Sequence, residues 1–274
     1  MAYKNILTVV TPEDASVAAP ALALAKRCGA GITLASVAGG AMTPAFASGH
    51  FSGPAMIKAT GIANKRATEA AAAFEQAAQE AGVDVEVSIV QDLLDRTGDK
   101  LKQFAHVSDL VIMAQPGEDP AFGEGYLLDA LLFGSGRPML LTPAGRGKAL
   151  APGKVLVAWN DSAAAARAVA DALPLLRRAD SVEVVTVRES GTDFTESAGH
   201  LLRQLARHEV NASHRELDGA GRPIGEVLDG HARANDADLL VMGAYGRSRF
   251  REFVLGGATR TVLSRMSVPV LMSH

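Results

Sequence analysis

The sequence predicts an α/β protein made of two tandem doubly wound domains, each a five-stranded, mostly parallel sheet with helices on both faces. Three observations point to this fold. Apolar, β-branched runs of strand length alternate with helix-length segments. The same succession of runs occurs twice along the 274 residues. Strand-like runs such as Asp238–Met242 (DLLVM) are almost continuously apolar, as a sheet covered on both faces requires.

Lys4–Val10 (KNILTVV) opens the first copy as a strand, and the Ala/Leu-rich stretch Ala15–Cys28 follows as a helix. Ser108–Ala114 (SDLVIMA) and Arg137–Leu141 (RPMLL) supply its later strands. Their counterparts come in the same order: Gly153–Trp159 (GKVLVAW), Ala237–Gly243 (ADLLVMG) and Val268–Met272 (VPVLM). One such match is cheap, whereas three collinear matches indicate duplication. In the second copy the strands are read as Lys154–Trp159, Ser181–Val187, Ala212–Leu217, Asp238–Met242 and Pro269–Met272. The helices between them are read as Ser162–Arg178, Thr195–Glu209, Gly225–Asn235 and Gly257–Met266. Ala144–Gly153 (AGRGKALAPG) has the composition of a linker, which places the boundary near residue 148 and the domains at 1–147 and 148–274. The first copy is longer because of Ala38–Ala55, a Gly/Pro-interrupted insertion expected to be a mobile loop.

Composition narrows the function. With 48% hydrophobic and 21% charged residues the chain folds around a real core. Lys and Arg total 27 against 30 Asp and Glu, a net charge of -3 without basic runs, which argues against a nucleic-acid partner. Aromatics at 5% are too few for base-stacking platforms. The single cysteine, Cys28, excludes an intrachain disulfide and any multi-cysteine metal site, and reads as a small core residue in a reducing compartment. The N-terminus lacks a secretory apolar segment, and no apolar run approaches the ~20 residues that span a bilayer. A cytoplasmic protein without membrane contact is expected.

The chemistry concentrates in Met242–Thr259. Gly243, Gly246 and Gly256 stand with two and nine residues between them, on the path from a strand to a helix. Glycines let backbone amides approach an anion, the helix start adds unpaired donors, and Arg247 and Arg249 add positive charge. The alternative at this point is that Gly243 and Gly246 only end a strand and form a turn. Neither G-x-x-x-x-G-K-[ST] nor a strand-following G-x-G-x-x-G occurs. Ser162, after Asp161 at a helix start, reads as an N-cap. His200, His208 and His214 have no metal-ligand spacing, and His231 with Asp229 has no serine partner, so no catalytic residues and no metal ligands are assigned.

Gly243-x2-Gly246-x9-Gly256, with DLLVMGAYG, LGGATRTVLSRMSVPVLM and the opening KVLVAWNDS, resembles the universal stress protein (UspA) family, in the form of two fused domains. The likeness runs through the chain twice and is sharp only in the C-terminal copy, which resembles the ATP-binding branch. It implies the adenine nucleotide alpha hydrolase-like fold and an ATP or other adenine nucleotide site, with Mg2+ as a companion of the phosphates. Ala158 and Asn160 would lie at the end of the first strand, Asn160 where the family has an Asp contacting the nucleoside. Val187 would offer backbone groups to the adenine edge. Met242, Gly243 and Gly246 would line the ribose and phosphates beside Arg247, and the amides of Gly256, Gly257 and Ala258 would hold the phosphates.

Two departures weaken this site without abolishing it. Asn160 keeps an acceptor oxygen but lacks the charge of Asp. Gly257 stands where the motif has Ser or Thr, and one lost neutral hydrogen bond costs about 0.5–1.5 kcal/mol. The first copy departs further. Thr11 takes the Asp-like place, Ala114 replaces the first glycine, Pro116 has no amide hydrogen, and Gly117 is followed by seven residues before Gly125. Glu118, Asp119 and Glu124 would repel a polyphosphate, so this half is expected not to bind ATP. The expected role is regulatory, in a stress response, with at most slow ATP hydrolysis; the alternative is a nucleotide-independent module that binds a protein client. The resemblance further implies an intramolecular pseudo-dimer through the last strands, Pro138–Leu141 and Pro269–Met272, and leaves room for a homodimer.

Overall fold

The structure, a computed structural model, describes residues 2–11, 16–38, 53–92, 94–117, 123–145, 149–188, 192–245 and 257–274. The chain divides into two compact units, residues 2–150 and 151–274. The first contains β1 (Asn5–Val10), α1 (Ala18–Cys28), β2 (Gly31–Val37), α2 (Gly53–Ala81), β3 (Val85–Val90), α3 (Leu94–His106), β4 (Leu110–Ala114), α4 (Glu124–Gly134) and β5 (Met139–Thr142). The second contains β6 (Lys154–Ala158), α5 (Ala163–Leu176), β7 (Ser181–Arg188), α6 (Thr195–Arg207), β8 (Ala212–Asp218), α7 (Ile224–Ala234), β9 (Leu239–Gly243), α8 (Ala258–Arg265) and β10 (Val270–Ser273). Every element of this second unit begins and ends within two residues of its expected bounds. In the first unit, Gly53–Ala55 of the expected insertion are helical, and residues 39–52 lie outside the described residues.

Both sheets are parallel and follow one order: β3-β2-β1-β4-β5 in the first unit and β8-β7-β6-β9-β10 in the second. Helices cover both faces. The central strands β4 and β9 are apolar almost throughout because both of their faces are packed; all five residues of β4 are buried. The outer strands β3 and β8 mix exposed and half-buried positions along their length, since their polar side chains reach water. Cys28 is buried in α1, as expected of a small core residue. Among the described residues no helix is long and apolar enough to cross a membrane.

One detail explains why SDLV and ADLL recur at the start of the fourth strand of each unit. The Asp109 carboxylate accepts the amides of Lys4 and Asn5 at 2.6 and 3.0 Å, and the Asp238 carboxylate accepts those of Gly153 and Lys154 at 2.9 and 2.8 Å. Each aspartate satisfies the first strand's opening donors and fixes its register against the fourth. In each unit the first three strands step one way and the last two the other. The reversal falls between β1 and β4, and between β6 and β9, and ligands of such sheets bind beyond the carboxyl ends at this point.

Candidate functional site

At the reversal in the C-terminal unit, Ala158 ends β6 directly opposite Met242 of β9. The amide of Trp159 makes one more bond to β7, donating to the Val185 carbonyl at 2.8 Å, and the chain then turns away. Asp161 takes a left-handed φ of 56°, a conformation that aspartate tolerates better than most residues. Ser162 caps α5 as expected, its hydroxyl oxygen accepting the Ala165 amide at 3.1 Å. The same hydroxyl donates to Asn160 Oδ1 at 2.7 Å. Asn160 is exposed, so this bond orients its side chain while leaving the oxygen a second lone pair.

Strand β7 continues to Arg188, three residues past Val185, the partner of Ala158. Because the Val185 carbonyl faces β6, the two-residue alternation turns the backbone groups of Val187 to the same side, beyond the end of β6.

On β9, Met242 is buried and Gly243 has a packing reason of its own. A Cβ there would stand 2.5 Å from the Ala165 nitrogen and 2.6 Å from the Ala164 carbonyl carbon, so the first turn of α5 leaves no room for a side chain. Beyond it, the Ala244 amide donates to the Ser273 carbonyl at 2.8 Å, and His274 Nδ1 lies 3.0 Å from the Ala244 oxygen. Tyr245, at φ 51°, donates its amide to Thr259 Oγ1 at 3.1 Å. Thr259 is a buried residue that the sequence reading missed; it ties the start of the glycine loop to α8. Its only signal in the sequence is a hydroxyl residue directly after GGA. Gly257 is the N-cap of α8 and Ala258 its first residue, both half-buried. Gly246, Arg247, Arg249 and Gly256 lie outside the described residues.

The described residues also line a cleft of about 690 Å³ between α5 and α6, walled by Trp159, Val169, Leu173 and Leu201. None of the expected site residues lines it. Trp159 donates its ring N–H to Ser197 at 3.1 Å. At its rim, the backbone amide and hydroxyl of Thr195 hold the Asp193 carboxyl below the usual carboxylate range. The histidines set aside above keep nearby polar company: His200 is 3.8 Å from Glu196, and His208 and His214 lie 3.1 and 2.9 Å from Gln204 and Thr186.

The corresponding place in the N-terminal unit differs. Thr11 donates its hydroxyl to Glu124 Oε1 at 2.7 Å, and the Gly117 amide donates to Oε2 at 2.8 Å. Glu124 is only 8% exposed. Gly125, which spacing nominates as the counterpart of Gly256, lies inside the first turn of α4; the N-cap is Gly123, at φ 68°. Glu118 and Asp119 lie outside the described residues.

The chain is 30% identical over 176 residues to Universal stress protein Slr1230 of Synechocystis sp. (strain ATCC 27184 / PCC 6803 / Kazusa), a match that takes in 60% of this chain and 57% of the relative's length. Among solved structures it is similar to a universal stress protein from Archaeoglobus fulgidus DSM 4304, with a TM-score of 0.73 at 16% identity, over 98% of this chain and 95% of that one. It is also similar to the functionally unknown protein PA1789 from Pseudomonas aeruginosa PAO1, with a TM-score of 0.59 at 16% identity, over 99% and 92% of the two chains. At such identities these likenesses establish the fold alone. Residues 152–274 match the Universal stress protein family.

Proposed function

We propose that the C-terminal unit binds ATP or another adenine nucleotide, and that the protein is a cytoplasmic regulator in a stress response. The convergence at the end of β6 and β9 carries this reading. An exposed amide side chain held by the α5 cap, the projecting backbone of Val187 and the glycine-started helix α8 all belong to one switch point. In this reading Asn160 bonds the nucleoside, Val187 the adenine edge, and Ala158 and Met242 form the floor. Gly243 and Gly246 border the phosphates, and the amides of Gly256, Gly257 and Ala258 hold them with help from Arg247. Mg2+ would enter with the phosphates. Ala158, Asn160, Val187, Met242, Gly243, Gly257 and Ala258 do not titrate, so this part of the site supplies no general base. The reading is therefore one of binding, with at most slow hydrolysis.

Isothermal titration of the full chain with ATP is expected to give a micromolar Kd, and Gly246→Asp to abolish the signal by setting a carboxylate against the phosphates. Undiminished binding by that variant overturns the reading. The neutral Asn160, already engaged by Ser162, and the missing hydroxyl at Gly257 favour the second reading, a nucleotide-independent module for a protein client. Mass spectrometry of small molecules released from the denatured protein separates the two: a bound adenine nucleotide supports the first, and none, together with no ATP titration signal, supports the second.

A further inference from the structure

Glu124 is a buried carboxylate that no part of the proposed nucleotide site uses. Burying such a group is costly unless donors satisfy it, and here the donors come from distant segments: the Thr11 hydroxyl after β1 and the Gly117 amide after β4. Thr11 and Gly117 are the counterparts of Asn160 and Gly246, and Glu124 opens α4 as Ala258 opens α8. The carboxylate thus sits where the other unit presents a methyl group. We propose that the N-terminal unit holds an oxyanion site at its own switch point, filled in the native chain by the Glu124 carboxylate, and that this internal occupant closes the unit to external anions. Shortening Glu124 opens the site to a compact carboxylate.

Glu124→Ala removes a methylene and a carboxylate, the atoms that acetate would restore. All variants carry Gly246→Asp, so the C-terminal unit contributes nothing and failure of the nucleotide proposal leaves this test intact. Thermal unfolding is followed in acetate and in chloride at equal pH and ionic strength. Glu124→Ala is expected to melt about 4–8 °C lower in chloride, from the loss of charge-assisted hydrogen bonds, and to recover at least half of that in acetate. The parent is expected to respond equally to the two salts. Glu124→Gln, which still fills the space, is expected to lose stability without an acetate-specific recovery. A Glu124→Ala protein that acetate does not stabilise over chloride, or a parent that acetate stabilises as much, overturns the proposal. Hydrogen exchange on the parent covers the case in which Glu124→Ala does not fold: a Gly117 amide that stays equally protected on adding acetate or ATP supports the internal occupant, and a change in protection overturns it.

Discussion

Two strand ends with the same topological address carry different chemistry. In the N-terminal unit Thr11, buried, donates to a carboxylate that is itself buried, and the Gly117 amide closes the cluster. In the C-terminal unit Asn160 is exposed, and its side-chain oxygen accepts from the cap serine two residues on. The sheets are ordered alike and the same aspartate anchors the first strand to the fourth, so the scaffold does not make the difference. A handful of side chains at the carboxyl ends does.

The comparison breaks most sharply at Gly243. Gly243→Val is expected to cost about 3 kcal/mol in urea unfolding, because the first turn of α5 occupies the space. Its counterpart Ala114 already carries a Cβ, and Ala114→Gly should cost only about 1 kcal/mol. Equal losses at the two positions would mean that the helices approach the two fourth strands alike.

Next come the strand-end polar residues. Thr11→Val removes a buried bond to a carboxylate and is expected to destabilise by about 2 kcal/mol. Asn160→Ala, on the surface, should change stability by less than about 0.5 kcal/mol while lowering ATP affinity about two- to tenfold. Denaturation and titration of both variants test whether one end is structural and the other functional.

A further difference lies on the sheet face. Burial pushes the Glu183 carboxyl up, but hydrogen bonds and charge from Arg215 and His231, both at 2.6 Å, outweigh it and hold the group below its ordinary range. The register position in the other unit holds Thr33. A depressed carboxyl stabilises above its unfolded pKa, and that stabilisation is lost as pH falls through the folded value. The C-terminal unit should therefore lose stability as pH drops below the ordinary glutamate value of about 4.3. Glu183→Gln is expected to cost about 1 kcal/mol at pH 7 and to flatten this acid limb in pH-dependent unfolding.

Strand and helix positions and the duplication were legible because they rest on local periodicity and on the order of apolar runs, whereas the resemblance alone nominates Asn160, Val187 and Met242 as site residues. The role of Glu124 was not. Its charge is visible in the sequence and reads as repelling a polyphosphate, yet its partner is a hydroxyl 113 residues away. Spacing also pointed to Gly125 as the glycine that follows Gly117, whereas Gly123 supplies the turn into α4.

What the sequence determined by itself is therefore the alternation of strands and helices and the repeat, since both are read from short local runs and the order in which they recur. Only the tertiary structure decided that Gly243 is required by helix α5, that Thr259 anchors Tyr245, and that one crevice holds its own carboxylate. These depend on which segments the fold brings into contact, and a bond between residues 14 apart, as for Tyr245 and Thr259, or 113 apart, as for Thr11 and Glu124, leaves no periodic trace in the chain.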